Sequence, residues 1–309
     1  MAIEKFIARR AGAVNRELLR RVRRIPAARP RLREAMLYSL AAGGKRLRPV
    51  LLTASYELFG GDWRKVLPAA CALEMVHTYS LIHDDLPAMD DDDLRRGRPT
   101  SHKVFGEAMA VLAGDALLTD AFSVLCENSR IECVGAGRVL EAAGILARRA
   151  GAGGMVSGQA ADLEAEGFLK RRGRNPASGG RGARLLAYIH QHKTADLITA
   201  SVEMGAALAG AGPREFRTLS DFAGAIGLCF QITDDILDVT GDKKKLGKSG
   251  SDARNAKLTY ASLYGVEASR VKAAGLMALA RKKLEALPCP PARVKVLADL
   301  AGFVYGREK

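Results

Sequence analysis

Six aspartates crowd into residues 84–93: Asp84, Asp85, Asp90, Asp91, Asp92 and Asp93. Like charges this close repel one another. The run is therefore either a solvated loop or the seat of something strongly positive. A second acidic group stands far downstream, in CFQITDDILDVTGD (229–242). There Asp234 and Asp238 are spaced i, i+4, which puts both carboxylates on one face of a helix, with Asp235 beside them. Phe230, Ile232, Ile236, Leu237 and Val239 surround them with apolar side chains. Carboxylates in an apolar helix are costly unless they are paired or bound to cations. A solvated face is the alternative, but solvated faces usually mix signs, and no lysine follows before Lys243. Aspartate oxygens are hard ligands that suit Mg2+ or Mn2+ and not Zn2+, and no Cys/His cluster competes. Mg2+ typically bridges one or two carboxylates to substrate phosphates. Two such clusters therefore point to a shared polyanion.

Cations for the remaining phosphate charge are also present. GGKRLRP gives Lys45, Arg46 and Arg48 behind two glycines, in a loop that opens a helix. Arg95 and Arg96 follow the first acidic run. HQHKTADLI supplies Lys193 and Thr194, and Lys248 and Lys257 flank the turn after the second acidic helix. A lone GGK is common; all of these together are specific.

The elements that must position these groups read as helices. Helical text runs over 3–24, 31–42, 49–59, 64–83, 108–127, 133–149, 154–166, 183–209, 214–240, 256–287 and 291–306. Gly, Pro or charge marks each break. Alanine and leucine dominate, and no alternating strand pattern exceeds a few residues. The expected fold class is all-α, a single large helical bundle. The glycine-rich basic segment 170–184 reads as a mobile loop.

The 309 residues carry a net charge of +14, concentrated at 18–33 and 170–184. Modules that bind RNA stack bases on aromatics, and these stretches contain none, so no nucleic-acid partner is expected. Of the five cysteines, Cys71, Cys126, Cys133 and Cys229 lie in apolar context and read as small core residues, and Cys289 as part of a turn. No CxxC pair and no secretory segment occur, so a reduced, cytoplasmic protein is expected. The arginine-rich start mimics a transit peptide, but Glu4, Glu17 and helical periodicity argue against one. No run of eighteen apolar residues occurs, so no membrane span is expected.

These residues carry a resemblance. The chain resembles the all-trans polyprenyl diphosphate synthases, and within them the bacterial farnesyl diphosphate synthases. The landmarks stand in family order: GGKRLRP (43–49), ALEMVHTYSLIHDDLPAMDDDDLRRGRPT (72–100), LAGDALLTDAF (112–122), GMVSGQAADLEAEG (154–167), KTADLI (193–198), FQITDDILDVTGD and LGKSGSD (246–252). The resemblance implies one polyprenyl synthase domain over 1–309, a helical bundle of the isoprenoid synthase type with a central cavity, and a homodimer.

It also implies roles. Asp84, Asp85 and Asp90 would form the first aspartate-rich motif, and Asp234, Asp235 and Asp238 the second. Together they would hold three Mg2+ ions, with Mn2+ as a substitute, on an allylic diphosphate. Arg95, Lys193, Thr194, Gln231 and Lys248 would contact that diphosphate, and Lys257 stands near it. Lys45, Arg48, His77 and Arg96 would bind isopentenyl diphosphate. The reaction implied is head-to-tail condensation of isopentenyl diphosphate with dimethylallyl and then geranyl diphosphate. Departing pyrophosphate, stabilised by cations, would leave an allylic carbocation for the isopentenyl double bond to attack, and pyrophosphate would take the proton. No side-chain base is then needed.

Tyr79, five residues before Asp84, would lie roughly 7–8 Å down the helix from the metal site. With Ser80 beside it, its ring would floor the tail cavity and stop the product at fifteen carbons. A geranylgeranyl diphosphate synthase is the alternative product reading. A class I terpene cyclase needs only one diphosphate, and GGKRLRP with Arg96 argues for two. A catalytically silent regulatory subunit would usually lack an aspartate motif; both are intact. Three departures from the family pattern stand out. Ala195 and Asp196 replace a Gly and a small residue after Lys193–Thr194, where a carboxylate is unfavourable unless it points away. The 248–252 turn is one residue short, and the 170–184 loop is long and basic.

Overall fold

The computed structural model describes residues 3–172, 180–240 and 258–306. It is helical almost throughout, as the composition implies. The helices are α1 (Ile3–Arg23), α2 (Pro30–Leu40), α3 (Leu47–Leu58), α4 (Leu67–Asp84), α5 (Ser101–Phe105), α6 (Glu107–Cys126) and α7 (Ala136–Ala150). Then follow α8 (Met155–Arg172), α9 (Arg181–Ile189), α10 (Asp196–Ala209), α11 (Pro213–Thr240), α12 (Tyr260–Tyr264), α13 (Val266–Glu285) and α14 (Pro291–Tyr305). Two residues each of β1 (Leu94–Arg95) and β2 (Arg98–Pro99) pair antiparallel, Leu94 with Pro99 and Arg95 with Arg98.

Two helices organise the interior. α3 and α10 pack on each other, and Ser55 Oγ donates to the Val202 carbonyl at 2.8 Å. Each then faces two ways. Leu52 and Tyr56 of α3, with Leu197, Ala200 and Met204 of α10, join a core built with α1, α4, α6 and α7. Val50, Leu51 and Leu58, with Ile198, Val202 and Ala206, join a second core built with α11, α13 and α14. α4 is buried almost all round from Pro68 to Val76. Beyond Val76 its partly exposed positions are His77, Ser80, Leu81, His83 and Asp84.

Several expectations need correction. The continuous helix read over 183–209 is three pieces, with a π-helical turn, His190–Ala195, between α9 and α10. The 94–99 hairpin and α5 were not foreseen. Cys126 and Cys133 are exposed rather than core, because they lie at the end of α6 and in the loop after it; Cys71 and Cys229 are buried. The stretch Glu107–Arg130 is long enough, and one 18-residue window of it apolar enough, to cross a membrane by length and composition. Its Ala110, Ala113, Leu117 and Ala121 are buried in the core shared with α4, while Val111 and Leu112 remain exposed. The apolar composition thus serves packing on one face.

Candidate active site

α4 ends at Asp84, where the chain turns back, and the Asp90 amide donates to the Asp84 carbonyl at 2.9 Å. That bond brings two of the expected ligands to one helix end. From α8, Gln159 Nε2 donates to Asp84 Oδ1 at 2.6 Å. Asp85 turns the other way. It is 3% exposed, and its Oδ1 accepts from Arg95 Nε at 2.8 Å and from Arg95 Nη2. Burial pushes the Asp85 carboxyl up to about 6, with Arg95 opposing. Asp85, expected beside Asp84 as an ion ligand, anchors Arg95 on the hairpin through its Oδ1. Asp91 and Asp93 are exposed, as a solvated run should be. Asp92 departs from that run: it reaches Arg95 at 3.3 Å.

The glycine loop before α3 closes on this hairpin. Arg96 Nη1 donates to the Gly43 carbonyl. Gly44 has φ +118°, and a Cβ there would overlap the Arg96 guanidinium. Both facts require glycine at position 44. Arg48 Nη1 donates to His77 Nε2 at 3.3 Å. Burial, then the positive charges of Arg48, Arg96, Arg46 and Arg95, hold the His77 imidazole well below its usual range. A neutral histidine inside a guanidinium cluster marks a place built for an anion. Lys45 is exposed, its ammonium 5.4 Å from the Phe303 ring centroid. Arg46 plays a different part. It is buried, pairs with Glu74 at 2.5 Å and donates to Asn15 Oδ1 at 2.7 Å. It therefore pins the loop. Arg46, Asp91 and Arg96 all have positive φ (49°, 49° and 55°). Such strained non-glycine backbone often gathers at functional sites.

The π turn presents the second basic group. Lys193 Nζ donates to Asp162 Oδ2 at 2.6 Å, and Thr194 Oγ1 donates to Gln231 Oε1 at 2.7 Å. Gln231 Nε2 in turn donates to Asp235 Oδ1 at 3.0 Å. Asp235 is 3% exposed; its Oδ2 accepts the Tyr260 amide at 2.6 Å and lies 3.2 Å from His190 Nε2. Its carboxylate thus holds α11 to α12 and the π turn. Asp234 and Asp238 are half-buried instead. Asp196 points away from Lys193. It is 2% exposed and bonded by Arg149 Nη1 and His192 Nδ1, both at 2.7 Å. The extra carboxylate is thus engaged by Arg149 and His192, while Lys193 pairs with Asp162.

Two residues link these halves. Gln159 and Asp162, three apart on α8, bond Asp84 and Lys193 respectively. The sequence reading gave Gln159 no role and left Asp162 as structural. Their signal was the i, i+3 spacing of two polar residues in the alanine-rich GQAAD. Lys248, Lys257 and the 248–252 turn lie outside the described residues, as do residues 173–179 of the 170–184 segment.

The donor set fits magnesium. It is carboxylate oxygen, and among the described residues no three His, Cys, Asp or Glu side chains form a ready-made cage. Mg2+ keeps waters and takes phosphate oxygens, so it needs only one or two carboxylates from each site.

Comparison with known proteins follows the same lines. The polyprenyl synthetase family model matches residues 29–287. A farnesyl diphosphate synthase of Geobacillus stearothermophilus is 45% identical over 305 residues, 97% of each chain. The heterodimeric geranylgeranyl pyrophosphate synthase large subunit 1 of the Arabidopsis thaliana chloroplast is 47% identical over 305 residues, 98% of this chain and 79% of that one. A geranyltransferase from Helicobacter pylori, solved with magnesium and isoprenyl diphosphate, superposes with a TM-score of 0.81 at 32% identity, covering 99% of each chain.

Proposed function

The chain belongs to the polyprenyl synthetase family and is a prenyltransferase that elongates prenyl chains, and from that premise we propose that it makes mainly farnesyl diphosphate. Isopentenyl diphosphate condenses with dimethylallyl diphosphate and then with the geranyl diphosphate formed. The observation that carries the two-substrate reading is the pair of basic groups on different elements. Arg48 at the start of α3, His77 on α4 and Arg96 on the hairpin cluster around the glycine loop, and Lys193 and Thr194 sit on the π turn. Joining two diphosphates needs two such places.

In this reading Arg48, Arg96 and Lys45 grip isopentenyl diphosphate, and neutral His77 donates a hydrogen bond without adding charge. Lys193, Thr194, Gln231 and Arg95 orient the allylic diphosphate, with Lys248 completing the set. Asp84, Asp90, Asp234 and Asp238 would hold three Mg2+ ions, or Mn2+ in their place. Asp85 and Asp235 position Arg95 and Gln231. When bound, magnesium supplies positive charge that stabilises the departing pyrophosphate. The allylic C–O bond breaks with its electron pair on pyrophosphate, the isopentenyl double bond bonds to the allylic carbon, and pyrophosphate takes the released proton.

The enzyme works as a homodimer in the cytoplasm. The exposed apolar face of α6, with Val111 and Leu112, supports the first statement, and five cysteines free of disulfides suit the second.

Product length rests on Tyr79. It is 7% exposed, on the face of α4 that meets α6, below Asp84. A growing tail that starts at Asp84 meets this ring. Tyr79→Ala should shift product to twenty carbons or more, read by chromatography of dephosphorylated products. A wild-type enzyme that already makes mainly twenty-carbon product would replace this reading with the geranylgeranyl one.

A further inference from the structure

We propose that His83 and Gly114 are specificity-determining residues that hold Tyr79 in place as the floor of the tail cavity. The proposal rests on the Tyr79 reading above and extends it to a second layer.

Three observations carry it. Tyr79 and His83 are one turn apart on α4, and their rings meet edge to face, with centroids 5.7 Å apart and planes at 79°. His83 Nε2 lies 3.1 Å from the Val111 carbonyl of α6 and 3.8 Å from Asp115 Oδ1. Gly114, between those two residues, leaves a notch that the imidazole fills: a Cβ there would overlap the His83 ring. The ring is thus a wedge, seated in α6 on one side and against Tyr79 on the other.

The wedge matters because of what presses on Tyr79. A tail entering from Asp84 pushes the tyrosine ring down α4. Aromatic pairs gain from edge-on contact beyond their buried area, and a ring backed by a seated neighbour cannot swing aside. Remove the neighbour and the same tyrosine becomes a soft stop. Any side chain at position 114 would have the same effect by a different route. It would fill the notch and drive the half-exposed imidazole, 28% accessible, outward to solvent. A floor set by Tyr79 alone would feel neither change. Glycine is the one residue type at position 114 that lets the histidine seat.

The test is the product distribution, measured as the share of chains of twenty carbons or more, from purified enzyme with dimethylallyl and isopentenyl diphosphates and Mg2+. His83→Ala and Gly114→Ala should each raise that share several-fold. Their double variant should raise it no further than either alone, because both empty the same wedge. His83→Phe, which keeps a ring and loses the nitrogens, should retain the wild-type distribution. Because His83 precedes Asp84, total turnover is expected to fall in these variants, and only the distribution is diagnostic. Tyr79→Ala is run beside them. If it lengthens products while His83→Ala and Gly114→Ala do not, the wedge is overturned and the floor survives. If Tyr79→Ala itself leaves products unchanged, the floor reading fails and the wedge with it. Additive effects in the double variant, or lengthening by His83→Phe, would also overturn the wedge.

Discussion

Asp84 and Asp85 are neighbours with the same side chain and opposite duties. Asp84 ends the helix half-exposed and accepts a glutamine amide from α8, whereas Asp85 is buried against a guanidinium. Replacing Asp84 by Ala should therefore cut turnover by orders of magnitude and leave the fold intact, since a carboxylate crowded by like charges contributes little stability. Circular dichroism and steady-state kinetics check both halves; Asp234→Ala should behave alike. Asp85→Ala should weaken allylic substrate through the released Arg95, seen as a raised KM. His77 gives a pH signature. Its folded imidazole titrates well below the 6.5 of the free side chain. Between those values the unfolded chain binds more protons than the folded one, so stability falls as pH drops below about 6.5. His77→Gln should remove that part of the decline in thermal unfolding midpoints between pH 6.5 and 5. Identical pH profiles for both proteins would show that the histidine is not held neutral.

The π turn is the element whose shape matters most to the site. It cannot pay for its own irregular hydrogen bonding, and the stabilisation comes from beneath. Arg149 on α7 bonds Asp196 at 2.7 Å and Glu203 at 2.6 Å, and Ser220 of α11 also donates to Glu203 at 2.7 Å. Arg149→Met leaves two carboxylates, 2% and 5% exposed, without their cation. Loss of one partner from a buried pair costs about 3–5 kcal/mol, and urea unfolding should show it. Retained Lys193 function in a refolded Arg149→Met enzyme would dissociate the network from the turn. The sequence made most helices readable because Gly, Pro and charge punctuate them, and it made the aspartate pairs readable because their spacing is regular. It could not show the π turn. HQHKTADLI carries no Gly or Pro to break the helix, and Asp196 at the turn's end is bonded by Arg149, forty-seven positions away. Nor could it separate Asp85 from Asp84, or Asp235 from Asp234, because burial divides them and sequence spacing does not. Gln159 and Asp162 were legible only as polar residues on an alanine-rich helix.

The molecule as a whole places its chemistry where helices from both cores come to an end. α4 belongs to one core and α11 to the other, while α3 and α10 are common to both. Such a frame fixes the acidic ends of α4 and α11 without a bound metal, so the apo enzyme should fold and magnesium should add stability only with diphosphate present. Calorimetric melting with Mg2+, with pyrophosphate and with both would read that synergy. The exposed apolar strip of α6 makes a second expectation. Leu112, 52% exposed, replaced by Glu should halve the mass seen by light scattering, because a charge would be buried in the subunit contact. An unchanged mass would contradict a subunit contact through this face. The central claim is that two diphosphates are joined here and that the chain stops at fifteen carbons. Its most direct measurement is incubation of the purified protein with dimethylallyl and radiolabelled isopentenyl diphosphates, with Mg2+ and with a chelator, followed by chromatography of the dephosphorylated products. The account predicts farnesol as the main labelled alcohol, with all condensation abolished by the chelator; no condensed product, or condensation that survives the chelator, would contradict it.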